Sequence, residues 1–161
     1  MPSDRRHFLS LTGAGLAALT IGCSAGESQA AEKFPLSLSK AQWKQRLTPT
    51  QFRILREGGT ERPFSSPLND EHRRGIFSCA GCDQKLFSSK TKFESGTGWP
   101  SFYAPLPGAV VTRSDRSLGM TRTEVLCSRC GGHLGHVFND GPKPTGKRYC
   151  MNGAAMQFTP A

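Results

Sequence analysis

Cys79-Ala80-Gly81-Cys82 and, far downstream, Cys127-Ser128-Arg129-Cys130-Gly131 are the stretches on which the reading of the fold turns. A Cys-x-x-Cys turn brings two thiolates to one side of a tight loop. Two such turns supply a closed tetrahedral shell of four sulfurs, which suits structural zinc at one ion per chain. The interval from Asp83 to Leu126 exceeds the spacing of a small finger. The two knuckles are therefore expected to pin separate hairpins of one sheet. One pair as a redox-active dithiol, or two disulfides in an exported protein, are the alternatives. Glycine inside one knuckle and just after the other favours zinc. Four sulfurs leave no open coordination position, so the metal is expected to be structural.

Around the knuckles, short apolar pieces alternate with Gly, Pro and Ser. Ile76-Phe77, Lys85-Leu86-Phe87, Ala109-Val110-Val111, Thr123-Glu124-Val125-Leu126 and Arg148 to Phe158 read as strands of an antiparallel sheet or open barrel. With 18 Gly and 11 Pro in 161 residues, many turns are expected. The fold class is thus mainly β, with short N-terminal helices. Ser39 can cap a helix through Leu47, with Trp43 and Leu47 on one side. Thr48-Pro49 starts a second helix carrying Phe52 and Leu55, and Gly58-Gly59 ends it. Residues 60–74 are polar, contain two prolines (Pro63, Pro67) and read as a wrapping loop. Residues 31–161 form one domain in this reading, with 31–74 as an extension around the β core. A core of that size benefits from a metal staple.

The first thirty residues read differently. Arg5-Arg6 precedes an apolar stretch from about Phe8 to Ile21, and Ser28-Gln29-Ala30 offers small residues for cleavage. The stretch is too short and mild for a transmembrane helix. It resembles a bacterial twin-arginine signal, which implies export of the folded chain, with its metal, to the periplasm. Cys23 after Gly22 suggests a lipoprotein acceptor as the minority alternative. The net charge is +9, and removing residues 1–30 leaves it unchanged, since two residues of each sign are lost. The basic residues are scattered rather than gathered into a run, so no nucleic-acid partner is expected.

Cys150 stands outside the knuckles. Along Arg148-Tyr149-Cys150-Met151-Asn152, strand alternation puts Arg148, Cys150 and Asn152 on one face. A guanidinium two residues away favours the thiolate, the nucleophilic form. Asn152 adds a neutral donor able to orient a water or substrate oxygen. A buried, inert cysteine is the competing reading. Two other segments shift the balance. His133 and His136 sit three apart in a glycine-rich stretch just after the second knuckle, where they can move protons near neutral pH. Trp99, framed by Gly98 and Pro100, can wall a pocket for a methyl group, with a lid over the sheet as its alternative role.

Gly98-Trp99-Pro100-Ser101-Phe102, Arg122-Thr123-Glu124, His133-Leu134-Gly135-His136-Val137-Phe138, Asp140-Gly141-Pro142 and Arg148-Tyr149-Cys150-Met151-Asn152, with the paired knuckles, closely resemble the B-type, R-stereospecific methionine sulfoxide reductases. The likeness covers most of residues 39–159. It implies a tent-like or pseudo-barrel antiparallel β fold with zinc on Cys79, Cys82, Cys127 and Cys130, away from the active site. It further implies Cys150 as the nucleophile, Arg148, His133, His136 and Asn152 as its polar surroundings, and Trp99 as the wall for the substrate methyl group. The implied reaction is thiol-dependent reduction of peptide or protein methionine (R)-S-oxide through a Cys150 sulfenic acid. Many relatives carry a resolving cysteine where this chain has Thr97. An external reductant, thioredoxin-like by resemblance, is therefore expected to regenerate Cys150. A monomer is expected. Two other function classes compete: a basic zinc-knuckle binding module, and a disulfide reductase built on one Cys-x-x-Cys pair.

Overall fold

The computed structural model describes residues 33–161. The expected signal segment and Cys23 lie outside the described residues. Two short helices come first, α1 (Lys40–Arg46) and α2 (Pro49–Glu57). Each starts with a reciprocal capping box: Ser39 with Gln42, and Thr48 with Gln51. Such boxes satisfy backbone N–H groups that have no partner within the helix. Gly58 ends α2 in the left-handed conformation, φ 67°. Trp43, Leu47, Phe52, Ile54 and Leu55 are buried against the β structure. The helices follow the expected boundaries because their signals are local. No helix among the described residues is long and apolar enough to cross a membrane.

Two antiparallel sheets follow. The smaller contains β1 (Gly75–Cys79), β2 (Lys85–Ser88) and the last strand, β9 (Met156–Pro160), in the order β2-β1-β9. The larger contains β3 (Lys92–Phe93), β4 (Ser101–Phe102), β5 (Val110–Asp115), β6 (Arg122–Cys127), β7 (His133–Phe138) and β8 (Arg148–Met151), in the order β3-β4-β8-β7-β6-β5. Aromatic rings tie the sheets together. Phe77 and Phe87 of the small sheet meet Phe102 of the large one, with ring centroids 4.9 and 4.4 Å apart. Each such pair contributes about 0.5–1.5 kcal/mol beyond the burial of its area. The mainly β, antiparallel architecture agrees with the sequence reading.

Three details differ from it. The knuckles pin hairpins of two sheets rather than one: the first closes the β1–β2 turn, the second the β6–β7 turn. Arg148 to Phe158 is two strands in different sheets, not one. The break comes where Glu61, from the wrapping segment, accepts the backbone N–H groups of Gly153 and Ala154 at 2.6 and 2.8 Å. A distant carboxylate thus captures donors that a continuous strand would place in a ladder. Finally, the glycine-rich His133–Phe138 stretch is itself a central strand. Gly135 permits this, because a side chain there would collide with the Cys150 carbonyl on β8.

Candidate active site and metal centre

The knuckles converge from the ends of β1 and β6. The four Sγ atoms lie within 4.8 Å of one another and all four residues are buried. Cys79 and Cys130 are 3.8 Å apart at sulfur, Cys82 and Cys127 3.5 Å. These distances are far beyond a disulfide bond, which is about 2.0 Å long. A tetrahedron with Zn–S bonds of about 2.3 Å has edges of about 3.8 Å, so the shell suits a metal of that size and geometry. The two turns close alike. Asp83 N donates to the Cys79 carbonyl and Gly131 N to the Cys127 carbonyl, each at 2.9 Å, and Asp83 and Gly131 both have left-handed φ, 62° and 65°. Two cations sit over the shell: Arg56 Nη1 donates to the Cys130 carbonyl at 2.9 Å and Arg129 Nη1 to the Cys82 carbonyl at 3.0 Å. Positive charge here offsets that of four thiolates.

Cys150 lies elsewhere, on β8 between β4 and β7. The register pairs it with Ser101 on one side and His136 on the other. Its pocket, about 160 Å³, is lined by Thr60, Trp99, Arg122, Gly135, His136, Phe138, Cys150 and Asn152. That volume suits one small side chain flanked by two aromatic walls. Trp99 forms one of them, held by its indole N–H donating to the Glu61 carbonyl at 3.2 Å.

The expected site residues divide by what they touch. Arg148 makes a bidentate pair with Asp140, at 2.9 and 2.8 Å, and stacks on Phe138 at 4.5 Å. Asn152 is buried and committed to the backbone: its Oδ1 accepts from Glu61 N at 2.9 Å and its Nδ2 donates to the Leu134 carbonyl at 3.1 Å. It therefore anchors the turn after the nucleophile, with one amide hydrogen remaining. His136 lines the pocket and pairs through Nε2 with Asp115 at 2.8 Å. His133 is nearly enclosed, pairs through Nδ1 with Glu124 at 2.6 Å, and meets the His136 ring edge-on at 5.4 Å.

Electrostatics correct one expectation. Burial pushes the Cys150 thiol above its ordinary value and outweighs the hydrogen bond from Thr97, the attraction of Arg148 and weaker hydrogen bonds from Ser101 and Arg148, all of which act to lower it. The arginine acts in the expected direction, but half of its guanidinium is committed to Asp140 and the sulfur is desolvated. Burial likewise lowers the affinity of His136 for a proton, against the opposing hydrogen bond to Asp115. Asp115 is held well below the usual carboxylate range by hydrogen bonds from Ser117 and His136, with the Arg122 charge adding to them. Glu124 is raised by burial but lowered overall by its bonds to His133 and Arg113.

Several participants carried no signal as site residues. Asp115 and Glu124 orient the two histidines from β5 and β6. Arg122 reaches both the pocket and Asp115, at 2.8 Å. Its Nε is the one buried side-chain nitrogen or oxygen without a partner among the described residues. Glu61 fastens the wrapping segment to Trp99, Asn152 and the turn after Cys150. Arg122, Glu124 and Phe138 lie inside motifs of the resemblance. Asp115 and Glu61 look like ordinary surface carboxylates in the linear chain, and only the fold brings them in.

Four thiols clustered as a metal could be held, between the turns of a two-sheet β protein, and a fifth cysteine set apart in an aromatic-walled pocket define the class to which the chain belongs. Residues 47–160 match the SelR domain, and the chain belongs to that family. Relatives agree over most of their length. A protein of Thiobacillus denitrificans is 59% identical over 121 residues, covering 74% of this chain and 92% of its own. One of Agrobacterium fabrum is 56% identical over 123 residues, covering 76% and 91%. One of Methanosarcina barkeri is 57% identical over 121 residues, covering 74% and 85%. All three bear the name peptide methionine sulfoxide reductase MsrB.

Proposed function

We propose that this chain is a methionine sulfoxide reductase that takes the R epimer in peptides or proteins, with Cys150 as nucleophile. The observation that carries the reading is the pocket itself: Cys150 beside His136, walled by Trp99 and Phe138, and sized for one thioether side chain. The names of the relatives support the same chemistry.

The substrate methyl group packs on the indole of Trp99, where sulfur–aromatic contacts add to apolar burial. Cys150 thiolate attacks the sulfoxide sulfur, and the oxygen accepts a proton. His136 is the donor in this reading, because it lines the pocket and His133 does not. In the adduct the new sulfur–sulfur bond and the substrate S–O bond both break as the hydroxyl passes to the Cys150 sulfur, so methionine leaves with its sulfur reduced and Cys150 carries the oxygen as sulfenic acid. An external thiol then attacks that sulfur, forming a mixed disulfide and releasing water. A second thiol of the same reductant, thioredoxin-like in this reading, frees Cys150 and leaves as the disulfide. The four remaining described cysteines sit together in the metal shell, and Thr97 occupies the place beside Cys150. Zinc is the metal proposed for Cys79, Cys82, Cys127 and Cys130, where it fastens the hairpins that carry β1 and β7.

Residues 1–30 are proposed to direct twin-arginine export to the periplasm. Arg5→Lys with Arg6→Lys should retain the protein in the cytoplasm on fractionation, and unaltered export would refute this. For the reaction, a racemic methionine-sulfoxide dipeptide with dithiothreitol should lose only its R epimer, resolved by chromatography. Folded, metal-loaded protein that consumes neither epimer would overturn the reading.

A further inference from the structure

The reading above leaves a physical problem. A nucleophilic cysteine needs its thiolate, yet burial works against it and outweighs Arg148, half of whose guanidinium is held by Asp140. The structure places something else against the sulfur. Thr97 Oγ1 lies 3.8 Å from Cys150 Sγ. Ser95 Oγ lies 2.8 Å from Thr97 Oγ1 and 2.8 Å from Ser101 Oγ. Ser101 Oγ donates to the Trp99 carbonyl at 3.1 Å. Ser101 is fully buried and is the cross-strand partner of Cys150. Three hydroxyls thus form a chain from the nucleophile to the backbone of the pocket wall.

A hydroxyl donates one proton and accepts through its lone pairs, so such a chain can run in either direction. With a thiol, it runs away from the sulfur: S–H to Thr97, Thr97 to Ser95, Ser95 to Ser101, Ser101 to the Trp99 carbonyl. With a thiolate, every hydroxyl can turn: Ser101 to Ser95, Ser95 to Thr97, Thr97 to the sulfur. No proton is created or lost in the turning, and the charged sulfur gains a donor at the base of the pocket. Hydrogen bonds to an ionised acceptor are the stronger kind.

We propose that Thr97, Ser95 and Ser101 form a reversible hydroxyl chain that sets how much of Cys150 is thiolate. Thr97 touches the reacting sulfur, Ser101 on the neighbouring strand favours its charged form as well, and Ser95 is a positioning residue that joins the two. The chain rests on Cys150 being the nucleophile, as proposed above, and it gives Thr97 a chemical task at a position where a thiol is absent. It also couples the nucleophile to the carbonyl of Trp99, the residue that receives substrate.

The test reads the thiolate directly and uses no sulfoxide. Alkylation of Cys150 by iodoacetamide is followed against pH by mass spectrometry of its peptide, in metal-loaded protein. Thr97→Val keeps the shape and removes the hydroxyl. It should move the midpoint up by about one unit and slow alkylation at pH 7 about tenfold. Thr97→Ser should restore the parental profile, and Ser95→Ala and Ser101→Ala should give smaller upward shifts. Parental midpoints in Thr97→Val and Ser101→Ala would overturn the proposal. So would a Thr97→Ser profile matching that of Thr97→Val, which would assign the effect to the methyl group. If Thr97→Val does not fold, the two alanine variants decide alone. Failure of the sulfoxide assay in the parent would sink the reductase reading without changing these profiles.

Discussion

The five described cysteines are chemically two populations. At the ends of β1 and β6, each sulfur faces other sulfurs, with Arg56 and Arg129 bonded to nearby carbonyls. On β8, Cys150 faces a hydroxyl, an aromatic wall and a histidine. The first setting stabilises several thiolates only with a cation among them, and so suits a metal that would fix the turns. The second holds one sulfur, half-buried, at the base of a pocket, and so leaves it free to react. Residue type is identical in both; neighbours, burial and strand position decide the chemistry.

Cys150→Ser should break the comparison most sharply. Sulfoxide reduction should fall at least about 10³-fold, since Cys150 is the described cysteine that lines the pocket and is the proposed nucleophile. Metal content and melting temperature should stay at parental values, and loss of either would join the two regions into one unit. The reciprocal change, Cys127→Ser, should remove the metal and cost about 4 kcal/mol of stability, measured by metal analysis and thermal unfolding. Full metal occupancy with unchanged melting would refute the shell.

Between these extremes, the two histidines should separate. His136→Gln should lower kcat about 10²-fold or more with a near-parental melting point, as expected for a proton donor in the pocket. His133→Gln should instead lower stability by about 2 kcal/mol, because it disrupts one of the two bonds that hold the buried Glu124 carboxylate and leaves it to Arg113 alone. Equal effects on turnover would return both to the reaction. Asn152→Ala should cost about 1–3 kcal/mol by stripping Glu61 N–H of its acceptor. The smallest effect concerns pH. Because burial raises the Cys150 thiol, the thiolate is the minor form at pH 7 and grows as pH rises. Alkylation should therefore keep climbing past about pH 8.5, the ordinary thiol midpoint. A plateau below pH 7 would show that the arginine and hydroxyls outweigh burial.

Elements with local signals were legible in the chain. Both helices carry their caps within three residues, and both knuckles carry their spacing and glycine. Cys150, Trp99 and the two histidines stood out because motifs and composition single them out. Glycine hid β7, since a strand of such residues has weak propensity and forms here through its neighbours on both sides. The break between β8 and β9 was equally hidden, because its cause, Glu61, lies far away in sequence.

What the sequence determined by itself is the set of chemical possibilities: four thiols in two matched turns, one thiol apart from them, and a family likeness that links these to sulfoxide chemistry. Tertiary structure alone decided which of those groups meet. It joined the knuckles across two sheets rather than within one, turned Arg148 toward Asp140, committed Asn152 to the backbone, and set Thr97, Ser95 and Ser101 in line with the nucleophile. The physical reason is range. Capping, turn chemistry and knuckle spacing act over a few residues and are written where they act. Burial, ion pairing and hydrogen-bond direction depend on partners far along the chain, and those are chosen only when the sheets close.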